Sequence, residues 1–298
     1  RLVQLVFLPG YPVAVRLAQL AVPDTLVAGL TVSALCFAGA GCVFYRLARL
    51  DMPHEEALRV LKYLCLLPGA FFFPAPMSES LFLLLCVSCL YCARKGHWLL
   101  GGILGGLASF TRSLGLMLVV PLFFLWVHDR KRLSLRRLAA VLTVPLGFAV
   151  YCFINDQVSG NPFQFMEYQS VHWGQRLGWF WNTAAYQTEW AMRTLGTPDF
   201  WGLWLPNLLY GFGSLILMLF AVKRLRVEYS AWFLAYYLIA VGATWLLSAP
   251  RYLIAMPAVA MAMAAVTRNR RADAVLTVLC GIFSILYFCA FLLRWQVW

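Results

Sequence analysis

Charge is scarce in this chain. Only 12% of its 298 residues are Asp, Glu, Lys or Arg, while 62% are hydrophobic; soluble domains carry roughly 25% charged and about 45–50% apolar residues. That scarcity excludes an ordinary soluble domain and a disordered chain. Acidic residues are fewest, 12 against 24 basic ones, and the resulting charge of +12 would point to nucleic acid in a soluble protein. In a membrane protein basic loops instead fix orientation, and no nucleic-acid signal accompanies the charge here. No internal repeat, low-complexity tract or domain linker interrupts the sequence. No Gly-Lys-Ser/Thr follows the glycines at 101–106, which excludes a phosphate loop. The nine cysteines (36, 42, 65, 86, 89, 92, 152, 280 and 289) all lie in apolar stretches. They read as small buried residues rather than a disulfide framework. Cys86-x-x-Cys89-x-x-Cys92 sits mid-span without His or acidic partners, and no cluster has metal-ligand spacing. Neither a metal nor a cofactor is expected.

What is present is apolar length. At roughly 20 residues per crossing the chain reads as all-α and polytopic, a transmembrane helical protein with about 8–9 crossings. Spans are expected at 25–45, 80–93, 97–110, 114–127, 138–154, 200–222, 229–247, 252–267 and 273–293, with an amphipathic stretch at 54–62 and a Pro-interrupted apolar one at 63–76. Residues 1–24 are apolar but broken by Pro9, Gly10, Pro12 and Arg16, so they read as an interfacial or re-entrant segment. Gly101/Gly105/Ser109 and Gly102/Gly106 form small-residue faces suited to close helix packing. Pro121, Pro145, Pro206 and Pro257 fall within spans, where kinks are tolerated. Residues 155–199 read as a long aromatic, polar loop.

The basic residues divide in two. Arg46/Arg49/Arg59/Lys62, Arg94/Lys95, Arg130/Lys131/Arg132/Arg136/Arg137, Lys223/Arg224/Arg226 and Arg268/Arg270/Arg271 make 17 of the 24, all on one side if each apolar run, 63–76 included, crosses. The positive-inside rule makes that side cytoplasmic, and the run His128–Arg137 reads as a solvated loop touching anionic lipid. Arg1, Arg16, Arg112, Arg176, Arg193, Arg251 and Arg294 fall on the other face. Among them Arg112 and Arg251, with the carboxylate of Glu79, border apolar runs, where a charge at helix centre costs roughly 2.5–3.5 kcal/mol. Two guanidiniums and one carboxylate at an interface suit a lipid-linked phosphate, because guanidinium is planar, always charged and bidentate. The simpler alternative is that Glu79 pairs with one arginine and pins helix ends.

Four segments occur in order: Phe7-Leu8-Pro9-Gly10-Tyr11-Pro12, Ser78-Glu79-Ser80-Leu81-Phe82, Thr111-Arg112-Ser113-Leu114-Gly115 and Arg251-Tyr252. Together they resemble the PIG-V family, the second mannosyltransferase of GPI-anchor assembly, and its bacterial relatives. Those proteins show F-F-P-x-[YF]-P, [YM]-S-E-[AS]-L-F, R-S-x-G and a late R-[YF]. The resemblance runs over essentially the whole chain, and loops shorter than those of eukaryotic members favour a bacterial relative in the cytoplasmic membrane over one in the endoplasmic reticulum membrane.

The resemblance implies a GT-C glycosyltransferase fold occupying 1–298 as a single integral membrane domain. It implies a hexosyltransferase that moves a sugar, expected to be mannose, from a polyprenyl-phosphate donor to a hydroxyl of a glycolipid, glycan or protein on the extracytoplasmic or luminal face. The catalytic base is expected to be an Asp in the first external loop, upstream of Arg1, so the N-terminal helix and that loop are expected to precede this chain. Arg112 and Arg251 are expected to meet the donor phosphate or sugar hydroxyls. Ser78 and Glu79 are expected to bind sugar hydroxyls or orient an arginine, with Ser113 beside them. Tyr11 and its flanking prolines shape a loop, and Tyr252 either shields the sugar or anchors at the interface. In the 155–199 segment, His172, Gln175 and Arg176 lie among Trp173, Trp179, Trp181 and Trp190, forming either an aromatic belt or an acceptor platform, with His172 a candidate base or ligand. A lipid or solute transporter or flippase, and a non-catalytic assembly subunit of the same fold, are the alternatives.

Overall fold

The computed structural model describes residues 3–128, 134–244 and 246–297. Arg1, Arg130, Lys131 and Arg132, which belong to the expected charge pattern, lie outside the described residues. The described residues form fifteen α-helices: α1 (Gly10–Ala18), α2 (Thr25–Ala48), α3 (His54–Leu66), α4 (Glu79–Arg94), α5 (Trp98–Thr111), α6 (Val119–His128), α7 (Leu135–Leu142), α8 (Val144–Ser159), α9 (Gln164–Trp173), α10 (Phe180–Arg193), α11 (Leu205–Ala221), α12 (Val227–Val241), α13 (Ala249–Ile254), α14 (Pro257–Val266) and α15 (Arg270–Leu292). No strand occurs among the described residues. Four helical stretches are long and apolar enough to cross a membrane: Thr25–Ala48, Leu135–Ser159, Phe200–Ala221 and Arg270–Leu292.

Local chemistry explains several boundaries. Asp24 starts α2 by accepting from the Val27 N–H at 2.8 Å, one of the orphan donors of a first turn. Pro121, Pro145, Pro206 and Pro257 all fall in the first turn of an α-helical segment, where a missing N–H costs nothing. Pro145 and Pro206 nevertheless lie inside the longer helical stretches Leu135–Ser159 and Phe200–Ala221, each just after a change of helical segment. The 155–199 segment is not an extended loop: α9 and α10 occupy much of it. The expected span at 229–247 is helical only to Val241, and 252–267 is divided between α13 and α14.

The helices sort into two compact units, Arg1–Leu47 with Phe73–Gly174, and Ala48–Phe72 with Gln175–Trp298. In the first, α4 and α5 form an antiparallel hairpin turned at Gly96, whose φ of 90° suits glycine. The small faces of α5 do what their spacing predicts. A Cβ at Gly101 would lie 2.9 Å from the Cys89 carbonyl of α4, and one at Gly105 would lie 2.7 Å from Val144 Cγ2 of α8. Ser109 donates to the Val144 carbonyl at 2.6 Å on the same seam. In the second unit α14, apolar all round, is buried along nearly its whole length. The amphipathic helix α3 is held beside it. Glu56 pairs with Arg268 at 3.2 Å, and Lys62 with Asp273 at 2.6 Å. Tyr63 donates to Asp273 at 2.7 Å.

Candidate functional site

The first unit gathers three of the four motif segments at one end of the α4–α5 hairpin. Glu79 opens α4 and Arg112 ends α5, so both side chains sit at the end opposite the Arg94–His97 turn. Arg112 Nη1 lies 2.9 Å from Glu79 Oε1. The same nitrogen donates to Ser78 Oγ at 3.3 Å, and the guanidinium lies over the Phe82 ring at 5.8 Å. The Glu79 side chain is completely buried, whereas Arg112 keeps 11% exposure. Acid at a helix N-terminus and base at a C-terminus also complement the backbone dipoles. The pair is therefore stabilised by its setting as well as by itself.

Two glycines make the convergence possible. A Cβ at Gly115 would run into the Ala108 and Ser109 backbone, because the chain reverses after Arg112 through a tight 3-10 turn over Ser113–Leu118. The Gly115 N–H closes that reversal on the Arg112 carbonyl at 2.8 Å. A Cβ at Gly10 would sit 2.7 Å from the Thr111 Cα, so the segment around Tyr11 packs directly on the one carrying Arg112. Tyr11 donates to the Gly29 carbonyl at 2.9 Å and shares a hydrogen bond with Ser33 at 2.8 Å. The single Ser33 hydrogen is shared between the Tyr11 oxygen and the more distant Met77 carbonyl at 3.4 Å, one residue before Ser78. Burial pushes the Tyr11 phenol above its ordinary value, the Ser33 hydrogen bond acting the other way. It stays protonated and able to donate. Tyr11 thus supports the Ser78–Glu79 turn from below, and Ser113 lies exposed beside Arg112.

The remaining residues are placed elsewhere. His172, on α9 of the first unit, has its ring 6.0 Å from Tyr168 and 5.9 Å from Trp173, and Trp173 meets Phe7 edge-on at 6.2 Å. Gln175 and Arg176 open the second unit. The Arg176 backbone exchanges hydrogen bonds with Thr244, donating to its hydroxyl at 2.8 Å and accepting from its N–H at 2.7 Å. Arg251 and Tyr252 lie on α13 of the second unit. Arg251 stands over the Phe72 ring at 5.3 Å, and the Tyr252 carbonyl accepts from the Tyr236 hydroxyl at 2.7 Å. Phe82, Ser33 and Phe72 carry contacts that the sequence reading did not assign. Phe82 had a signal: it lies three residues after Glu79, one turn along the same helix face. Ser33 had none, being tied to Tyr11 and Met77 only through the tertiary fold.

Among the described residues no group of three or more His, Cys, Asp or Glu side chains is arranged to hold a metal ion. Comparison with protein-family models, with curated proteins and with solved structures finds no match to the chain. The site therefore rests on its own geometry.

Proposed function

We propose that the chain is a membrane glycosyltransferase of GT-C type that moves a hexose from a polyprenyl-phosphate donor to a hydroxyl acceptor on the extracytoplasmic face, with mannose as the expected sugar. The observation that carries the proposal is the buried Glu79–Arg112 pair, with the Tyr11, Ser78 and Arg112 segments packed around it. As the sugar–phosphate bond breaks, negative charge grows on the phosphate. A guanidinium already oriented by a buried carboxylate and a serine stabilises that charge with little reorganisation. Glu79 acts by orienting Arg112, and Ser78 by holding the same nitrogen.

The hairpin lengths support a lipid-linked substrate. α4 has 16 residues and α5 has 14, so they run about 24 Å and about 21 Å, short of a hydrocarbon core of about 30 Å. With Arg94 and Lys95 at the cytoplasmic surface, the Glu79–Arg112 end lies recessed below the opposite headgroups. A phosphate whose isoprenoid tail stays in the bilayer can reach such a depth. Four long apolar helices and four shorter ones support a multi-pass membrane protein.

A second reading has its own support. Complete burial of Glu79 also suits a pair that only pins two helix ends, as in a non-catalytic subunit of the same fold. Arg112→Lys separates the two, because lysine keeps the charge opposite Glu79 but loses the planar fork. The full-length protein is assayed for transfer of labelled mannose from polyprenyl-phosphate mannose. The expected result is transfer by the wild type and a fall of about a hundredfold in Arg112→Lys at equal folded amount. Equal rates in both proteins favour the pinning role, and a wild type without transfer removes the enzyme reading and returns the transporter alternative.

A further inference from the structure

Between α12 and α13 the chain leaves the helical path at residues 242–244 and 246–248; Trp245 lies outside the described residues. Backbone N–H and C=O groups buried outside a helix must find partners within the protein. Buried side chains supply them. Thr183 donates to the Ala243 carbonyl at 3.2 Å, and Gln187 Nε2 to the Leu246 carbonyl at 2.8 Å. The Leu246 N–H donates to the Tyr186 hydroxyl. Asn207 of α11 bridges, with Nδ2 donating to the Leu246 carbonyl at 3.4 Å and Oδ1 accepting from the Ala249 N–H at 2.9 Å. Thr183, Gln187 and Asn207 are all nearly or fully buried. Gly178 and Gly242 permit the close approach, the Gly178 N–H donating to the Gly242 carbonyl at 2.8 Å.

Thr183, Tyr186 and Gln187 stand at i, i+3 and i+4, one face of α10. A continuous α12–α13 helix would satisfy the same backbone groups without side-chain help. Three buried polar residues are instead spent on keeping it broken. What the break delivers is Arg251, two residues past Ala249. Its backbone is pinned on both sides, by Asn207 at Ala249 and by the Tyr236 hydroxyl at the Tyr252 carbonyl.

We propose that α10 is a brace for the Arg251 segment and that Gln187 and Asn207 are positioning residues, fixing through Leu246 and Ala249 where the Arg251 guanidinium stands. The assignment of a substrate contact to Arg251 rests on the function proposed above; the brace itself does not. α10 is then no mere run of the external aromatic segment. Its inner face commits Thr183 and Gln187 to one irregular stretch of chain and Ala191 to an apolar cluster with Leu203 and Trp204.

The test uses the full-length protein and two variants close in volume, Gln187→Met and Asn207→Leu. Amide hydrogen exchange over 243–252 reads the brace, and donor KM against kcat reads the positioning. The expected result is faster exchange over 243–252 with α14 unchanged, together with a donor KM raised about tenfold, acceptor KM unchanged and kcat little altered. A general loss of folded protein would lower apparent kcat alone. Unchanged exchange in Gln187→Met overturns the brace, and faster exchange with an unchanged donor KM overturns the positioning role. If the wild type transfers no sugar, the proposed function fails and the substrate role of Arg251 with it; exchange in the two variants then decides the brace by itself.

Discussion

A guanidinium with 11% exposure beside a carboxylate with none is tolerated only as a pair. Removing one partner leaves a buried charge uncompensated, which costs about 3–5 kcal/mol, whereas replacing both by apolar groups of similar size is often neutral. Arg112→Met should therefore unfold at clearly lower temperature than the wild type, and Glu79→Leu/Arg112→Met should regain most of the loss. Thermal unfolding in detergent with the full double-mutant cycle measures this. An additive double variant would mean that the two side chains are not coupled. Stability recovered without transfer recovered would separate pinning from chemistry at the same residues. Glu79 and Arg112 were legible because a charge next to an apolar run is costly and so demands a reason, and Ser78 only through the segment it shares with Glu79. Their partnership with the Tyr11 segment was not, because Gly10 meets Thr111 across about a hundred intervening residues.

At the scale of elements, the uninterrupted apolar runs of α2 and α15 announced themselves, and so did the glycine faces of α5. The break after Val241 did not. Residues 242–248 are mostly small or apolar and read as the end of a span, and the side chains that hold them apart from a helix come from α10 and α11. The polar face of α10 had no meaning until the stretch it binds was known. For the same reason 155–199 read as a loop: its aromatic residues drew attention to the surface, while Thr183 and Gln187 face inward. Helix seams carry their own prediction. A Cβ on Gly147 of α8 would collide with the Gly106 carbonyl of α5, so Gly147→Ala should cost about 1–3 kcal/mol, the usual range for overpacking. Gly41→Ala, where nothing lies within 4 Å, is the control and should leave the unfolding midpoint nearly unchanged. Equal midpoints for the two variants would contradict the tight α5–α8 seam.

For the whole molecule the account requires that the Glu79–Arg112 end of the hairpin face away from the cytoplasm. The positive-inside reading of Arg94 and Lys95 expects this, and the expected spans at 97–110, 114–127 and 138–154 would put an odd number of crossings between Lys95 and the segment after α8. In a cysteine-free background, Asn161→Cys should react with a membrane-impermeant maleimide added to intact cells, and Lys95→Cys only after permeabilisation. Labelling of both from one side would reverse or break the topology. The many helices were readable from hydropathy, and their division into two compact units was not. That division depends on which small faces meet, as along α5 and around α14.

The central claim is that Arg112, oriented by Glu79, stabilises a phosphate leaving group. It is tested most directly by the rate at which purified full-length protein in liposomes releases polyprenyl phosphate from polyprenyl-phosphate mannose in the presence of acceptor, wild type against Arg112→Lys at equal folded amount. The account predicts release by the wild type and a rate lower by about a hundredfold in the variant. Equal release by the two proteins would contradict it.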